Sequence, residues 1–215
     1  MSPYRNRDLI RVLVRREIQG RYQGSFLGVF WSLVNPIFML TVYTFVFSTI
    51  FKARWSGGGD SKIEFALILF SGLILFNFFS ECLSRAPGII ISNSNYVKKV
   101  VFPIEILTII SLGAALFHAS ISLMVWMLAY LLFFGMPQPT IFLMPIIILP
   151  LILFSLGFTW FLASFGVFLR DVSQLIMLFT GVLMFMSPVF YPVSALPEKF
   201  QFLLRFNPLT LVIEQ

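Results

Sequence analysis

Apolar residues fall in long runs along this chain, and the polar breaks between them are short. Residues 29–51 (VFWSLVNPIFMLTVYTFVFSTIF) and 64–82 (EFALILFSGLILFNFFSEC) are each close to the ~20 residues needed to cross a hydrocarbon core about 30 Å thick. From 104 to 134 the apolar character persists for about 31 residues, some 46 Å at 1.5 Å per residue, so this helix must tilt or project beyond the lipid. A fourth run lies within 141–168, where Pro145 and Pro150 are expected to bend or break its first half. A fifth extends from 173 to about 191 and stops at SPVFYP, residues 187–192. Backbone amides in lipid must be satisfied within their own segment, so the runs predict helices rather than open strands. The expected fold class is all-α: a polytopic membrane helical bundle with five visible spans, forming one domain over residues 1–215 without internal repeats.

Two segments outside the spans carry a different pattern. In RDLIRVLVRREIQGRY, residues 7–22, Leu9, Ile10, Leu13, Val14 and Ile18 recur at helical spacing while Arg11, Arg15 and Gln19 turn elsewhere. Residues 1–28 are therefore expected to be a cytoplasmic interfacial helix anchored through Arg11, Arg15, Arg16 and Arg21 at the lipid headgroups, although Glu17 interrupts the apolar sector. The loop at 83–103 mixes Ser92, Asn93, Ser94, Asn95, Lys98 and Lys99 with Ile89, Ile90, Ile91, Val97, Val100 and Val101, as in a short helix with one sticky and one wet face. Such a helix could lie on the membrane, dock on a cytosolic partner, or only supply positive charge to an inner loop. Beyond the fifth span, the apolar pieces within 187–210 are too short to cross and are divided by prolines, which suits a re-entrant hairpin at the external face.

Composition places the chain in lipid. It is 59% hydrophobic and 11% charged, against about a quarter charged in soluble domains. The first apolar run is too long for a cleavable signal peptide and lacks a small-residue cleavage site. The net charge of +6 is a matter of topology: with the N-terminus inside, ten of the 15 basic residues fall on inner segments. That asymmetry predicts a multi-pass protein of the cytoplasmic (inner) membrane with a cytoplasmic N-terminus, in contact with membrane lipid and with no nucleic acid. A cysteine placed at Ser94 should then resist an impermeant thiol reagent applied to intact cells, and one at Ser61 should react. The reverse pattern would overturn the orientation.

Residues that could carry chemistry are few. No GxxxxGK[ST] phosphate loop is present, and GGGDSK at 57–62 has the wrong spacing and lies on an external turn. The chain is therefore expected not to be an enzyme, with no catalytic residue, no metal site and no bound cofactor. Cys82 excludes an internal disulfide and is expected to be a small apolar side chain. His118 has no acidic partner at helical spacing and is expected to be neutral and hydrogen-bonded between helices; Asn35, Pro36 and Asn77 read as packing or kink features. Glu81 and Glu105 sit at the inner ends of spans two and three, where a carboxylate stays hydrated, and Arg170 and Asp171 make the turn between spans four and five.

Several ordered motifs resemble one family. RRE followed by RYQGSFLGVFWSLVNP at 21–36, with Arg21, Tyr22, Ser25, Leu27, Gly28, Trp31 and Pro36, SNSNYVKKVVFPIEIL at 92–107, FLRDVSQ at 168–174, then SPVFYP, LPEKF and NPLT, are similar to type-2 ABC transporter permeases that export cell-surface polysaccharides such as O-antigen of lipopolysaccharide, capsule or teichoic acid. The resemblance implies a homodimer that moves a lipid-linked glycan and binds two copies of a separate ABC ATPase subunit, where ATP and Mg would be held. It implies a coupling helix at about 84–100, with Asn93, Asn95, Tyr96, Lys98 and Lys99 docking the ATPase and Arg170 and Asp171 as a second contact. It gives the 187–210 hairpin a gate role and places a sixth span where this chain stops, at Gln215.

Aromatic rings could form a track for sugar polymers, and Trp31, Tyr43, Phe78, Phe79, Trp126, Trp160, Phe190 and Tyr191 are candidates, although membrane aromatics more often face lipid or partner helices. Three other functions remain open: a type-2 ABC efflux permease for a small molecule or lipid, a secondary transporter, and an intramembrane transferase. The secondary transporter lacks buried charge on a path and inverted repeats. The transferase lacks a cluster of His, Asp or Cys near one face.

Overall fold

A computed structural model describes residues 6–46, 62–99, 102–191, 193, 197–204 and 207–213. In it the interfacial segment is α1 (Arg7–Arg21), and a 3-10 turn at Gly28–Phe30 leads into α2 (Trp31–Phe45). Helix α3 (Lys62–Arg85) passes through a 3-10 turn at Ala86–Gly88 into the short α4 (Ile89–Ser92) and α5 (Ser94–Lys99). Then come α6 (Glu105–Phe134), a 3-10 turn at Pro139–Leu143 feeding α7 (Met144–Phe168), and α8 (Val172–Met186). Two short helices, α9 (Glu198–Leu204) and α10 (Pro208–Ile213), follow, and no strand occurs among the described residues.

Among the described residues, four stretches are long and apolar enough to cross a membrane: Gly28–Phe45, Ile63–Ser92, Glu105–Phe134 and Pro139–Phe168, with α8 as a shorter apolar helix. The chain is thus a multi-pass helical membrane protein. The end of the first apolar run, the segment up to Ser61 that was expected to be external, and Pro192 lie outside the described residues.

Two expectations about prolines change. The fifth span ends at Met186 rather than near 191, because Pro188 disfavours helical geometry at the residue before it, and Ser187 is extended (φ −99°, ψ 145°). In α7, Pro145 and Pro150 do not break the helix, which runs unbroken from Met144. Pro145 sits in the first turn, where its missing N–H has no bond to lose. Pro150 forfeits one backbone bond, while the other amides of a segment in lipid are satisfied only by staying helical. Two hydroxyls in α7 are satisfied on the preceding turn, Ser155 donating to Leu151 O and Thr159 to Ser155 O, each at 2.7 Å.

Helix α3 is the centre of the bundle. Its membrane window is 61% buried, against 11% for α2 and for α7, so α3 meets protein on most sides while α2 and α7 keep wide apolar faces outward. Leu69, Leu73, Phe76, Phe79 and Leu83 of α3 join Leu112 and Ala115 of α6, Leu151 and Leu162 of α7, Ile176 of α8 and Leu209 of α10 in one core. At about 25 cal/mol per Å² of apolar area, each such large side chain contributes roughly 1.5–3 kcal/mol relative to exposure in water. Inside lipid that drive vanishes, and close packing and polar pins matter more. Trp126 supplies one pin by donating its indole N–H to Leu67 O, at 2.9 Å, across α6 and α3.

Helix α1 lies against the bundle. Ile10, Leu13 and Val14, with Phe102, pack against Ile89, Ile106, Leu107 and Ile110, so these three positions of the apolar stripe are half-buried by protein. Gly113 permits this approach: a methyl group there would lie 2.9 Å from Val14 Cγ2. Leu9 and Val12 stay exposed. The end of the bundle carrying α1, residues 86–99 and the 169–171 turn is called the basal end below.

Candidate functional site

The coupling segment expected over 84–100 is not one helix. The last turn of α3 reaches Arg85, Pro87 tightens the chain into a 3-10 turn, and Asn93 divides α4 from α5. Ala86 and Pro87 are buried, and Pro87 lies directly on Gly166 of α7. Gly166 precedes Arg170 by four residues, so the two basal turns are neighbours.

A chain of ionic contacts ties α1 to this segment. Arg21 Nη2 lies 2.8 Å from Glu81 Oε1, close enough for an ion pair although not aligned as a hydrogen bond. Arg85 reaches Glu17 at 2.8 Å and Glu81 at 3.8 Å. Arg16 donates to the Tyr96 hydroxyl at 2.7 Å, linking α1 to α5. Two guanidinium groups and two carboxylates thus balance at the junction of α1 and α3. A cleft of about 830 Å³ opens between them, lined by Arg16, Glu17, Gln19, Arg85, Asn93 and Tyr96 over an apolar floor that includes Leu13, Ile89 and Ile110.

Each residue expected to dock a partner can be located. Asn95 and Lys98 are exposed on α5. Asn93 is half-buried and donates to Ile89 O at 2.9 Å, closing α4. Tyr96 is half-buried, held by Arg16 and by the Phe102 ring at 5.3 Å. Lys99 belongs to α5, and its side chain lies outside the described residues. Arg170 and Asp171 are exposed in the turn between α7 and α8. The four arginines expected at the lipid interface are all exposed, and Arg16 and Arg21 are in addition engaged by Tyr96 and Glu81.

A second cleft, about 370 Å³, enters between α2, α3 and α6 above the Arg21–Glu81 pair. His118 lines it with Tyr22, whose hydroxyl is 3.4 Å from His118 Nδ1, the donor depending on the tautomer of the ring. The hydrogen-bonded His between helices is therefore present, with a tyrosine from the end of α1 as its partner. Burial, and secondarily the charge of Glu81, push the Tyr22 phenol above 10.0, with Arg21 opposing. The group therefore stays protonated across the physiological range.

The aromatic candidates separate in the same way. Phe78 and Phe79 are core residues, 3% and 2% exposed, with Phe79 stacked on Phe154. Trp126 is the pin to α3, and Trp160 donates to Glu105 O at 3.2 Å, joining α7 to the start of α6. Tyr191 donates to Phe185 O at 2.7 Å, and Phe190 packs on the core and on the Phe185 ring. Tyr43 borders the second cleft, while Trp31 is exposed at the start of α2. A different aromatic row was not expected: Phe154, Phe158, Phe161 and Phe165 stand ring beside ring at 5.3, 6.3 and 5.1 Å along the outward face of α7. Their spacing of four, three and four residues was the available signal.

Residues 8–215 match the family described as ABC-2 type transporter. The O-antigen export system permease protein RfbA of Klebsiella pneumoniae is 25% identical over 208 residues, covering 96% of this chain and 77% of the relative. RfbA of Myxococcus xanthus is 27% identical over 208 residues with the same coverage. The polysialic acid transport protein KpsM of Escherichia coli is 25% identical over 209 residues, covering 95% of this chain and 78% of the relative.

Proposed function

Because the chain belongs to the ABC-2 type transporter family, we propose that it is the transmembrane subunit of an ATP-driven exporter that moves a lipid-linked polysaccharide across the cytoplasmic membrane. It works as a homodimer, and a separate ABC ATPase subunit holding ATP and Mg docks at the basal end. The polysaccharide cargo is supported by the similarity to relatives named for O-antigen export and polysialic acid transport.

The observation that carries the mechanism is the way the 86–99 segment is seated. Its outer residues Asn95 and Lys98 are exposed, while its root at Pro87 is locked on Gly166 and its flank at Tyr96 is bonded to α1. A partner gripping the exposed side therefore displaces α3, α7 and α1 together as rigid bodies. Lys98, exposed on α5, presents positive charge to acidic or carbonyl groups on the partner, which favours orientation and encounter, and Lys99 adds a second charge next to it in sequence.

Replacing both Lys98 and Lys99 by Glu is expected to reduce recovery of a co-expressed ATPase subunit on the tagged permease by about tenfold or more, since like-charge contact at an interface costs several kcal/mol. Surface polysaccharide should fall with it. Unchanged recovery would remove the docking assignment. A changed resistance to small apolar compounds with intact surface polysaccharide would redirect the cargo to the efflux alternative.

A further inference from the structure

We propose that the cleft between α2, α3 and α6 is a binding site for a neutral, polyhydroxylated group: a sugar unit whose attached apolar portion runs deeper between the helices. The first observation is a pair of uncommitted amides. Asn77 is exposed although its neighbours Phe76 and Phe78 are 5% and 3% exposed, and Asn35 is exposed across from it on α2. Neither side chain has a hydrogen-bond partner among the described residues. A carboxamide turned to hydrocarbon without a partner is costly, so two of them on one cleft mark a place where something polar enters.

Charge selects among polar ligands. Arg21, the cation at the mouth of the cleft, is paired with Glu81. The remaining polar groups, among them Tyr22, His118, Ser122 and the two amides, offer uncharged donors and acceptors, which match hydroxyl groups better than a phosphate. The volume, about 370 Å³, is at the lower end of the ~300–1,000 Å³ usual for small-molecule sites. Met39, Phe70 and Ile74 line its apolar part, so the cleft is amphipathic along its length. Under the export reading, on which the identity of the ligand rests, the sugar belongs either to the glycan itself or to a glycolipid headgroup; binding can be measured without that reading.

Ser122→Cys in the full chain, in lipid nanodiscs, gives a reporter inside the cleft, with the native Cys82 buried. A water-soluble thiol reagent should label it, and octyl glucoside below its micelle-forming concentration should slow the labelling. Octyl phosphate of the same chain length should not. Adding Asn35→Leu and Asn77→Leu should raise the concentration needed for protection by about tenfold for each amide lost, and Asn77→Gln, which keeps an amide and controls for folding, should retain part of it. Protection by free disaccharide as well assigns the site to the glycan, and protection by the alkyl glucoside alone assigns it to a lipid-attached sugar. Equal protection by octyl phosphate, protection that survives both leucines, or no labelling of the introduced thiol would overturn the proposal. Failure here with export intact would leave the exporter assignment standing, and binding without export would remove that assignment alone.

Discussion

Gly166→Ala is expected to lower the stability of the purified protein by about 2 kcal/mol and to abolish transport, while Gly157→Ala in the same helix leaves stability unchanged or raises it slightly. The contrast isolates one contact. A methyl group at Gly166 would sit 2.6 Å from Pro87 Cα and 2.7 Å from its carbonyl carbon, closer still to the carbonyl oxygen. None of these atoms can swing aside, because they belong to the backbone of a proline-fixed 3-10 turn. Alanine gains up to about 1 kcal/mol of helix propensity over glycine, but overpacking a tight contact costs about 1–3 kcal/mol, and more against backbone. At Gly157 nothing lies within 4 Å, so only the propensity gain remains. Thermal denaturation of the two variants side by side reads the difference, and equal melting temperatures would show that α7 and the coupling segment are not in contact as described.

The second large effect is expected at Glu81. Its side chain, 17% exposed, is shared by Arg21 and Arg85, which are 37% and 33% exposed. Glu81→Leu leaves Arg21 without its counter-charge beside a second guanidinium. Breaking a fully buried pair costs about 3–5 kcal/mol, and partial solvation of the arginines reduces this to about 2 kcal/mol. The loss should release the C-terminal turn of α1, so trypsin should cut at Arg16 and Arg21 several-fold faster than in the parent. Arg21→Leu combined with Glu81→Leu should cost less than the sum of the two single changes, because the residues act through one contact. Additive costs would mean that the 2.8 Å approach contributes nothing. Raising the salt concentration should narrow the gap between parent and variant, since exposed portions of the network are screened.

The spans could be read from sequence because lipid imposes length and apolarity segment by segment. The exceptions came from local backbone chemistry. Pro188 shortened the fifth span through the residue before it, and Pro145, expected to bend or break its helix, sat in the first turn, where no backbone bond is lost. Glu17, a flaw in the amphipathic pattern, is the partner of Arg85. No periodicity argument could reach that pair, nor Arg16 with Tyr96 some 80 residues away, because both depend on α1 folding back onto the bundle. Asn95, Lys98, Arg170 and Asp171 were legible as exposed basal residues. Among the aromatic candidates, Phe78 and Phe79 are buried since α3 is surrounded, Phe78 also lining the cleft between α2, α3 and α6, and only the packing of the other helices determines which helix is central.

The Pro87–Gly166 contact sets the scale of any stroke delivered to the protein. With α3 running 24 residues from this point, or about 36 Å at 1.5 Å per residue, it is a lever held at a fulcrum near its basal end. A rotation of ~10° about that fulcrum sweeps the far tip of α3 through roughly 6 Å over that length. Under the docking proposed for the basal end, a modest shift of a soluble subunit would be geared into a movement as wide as a helix turn at the opposite face.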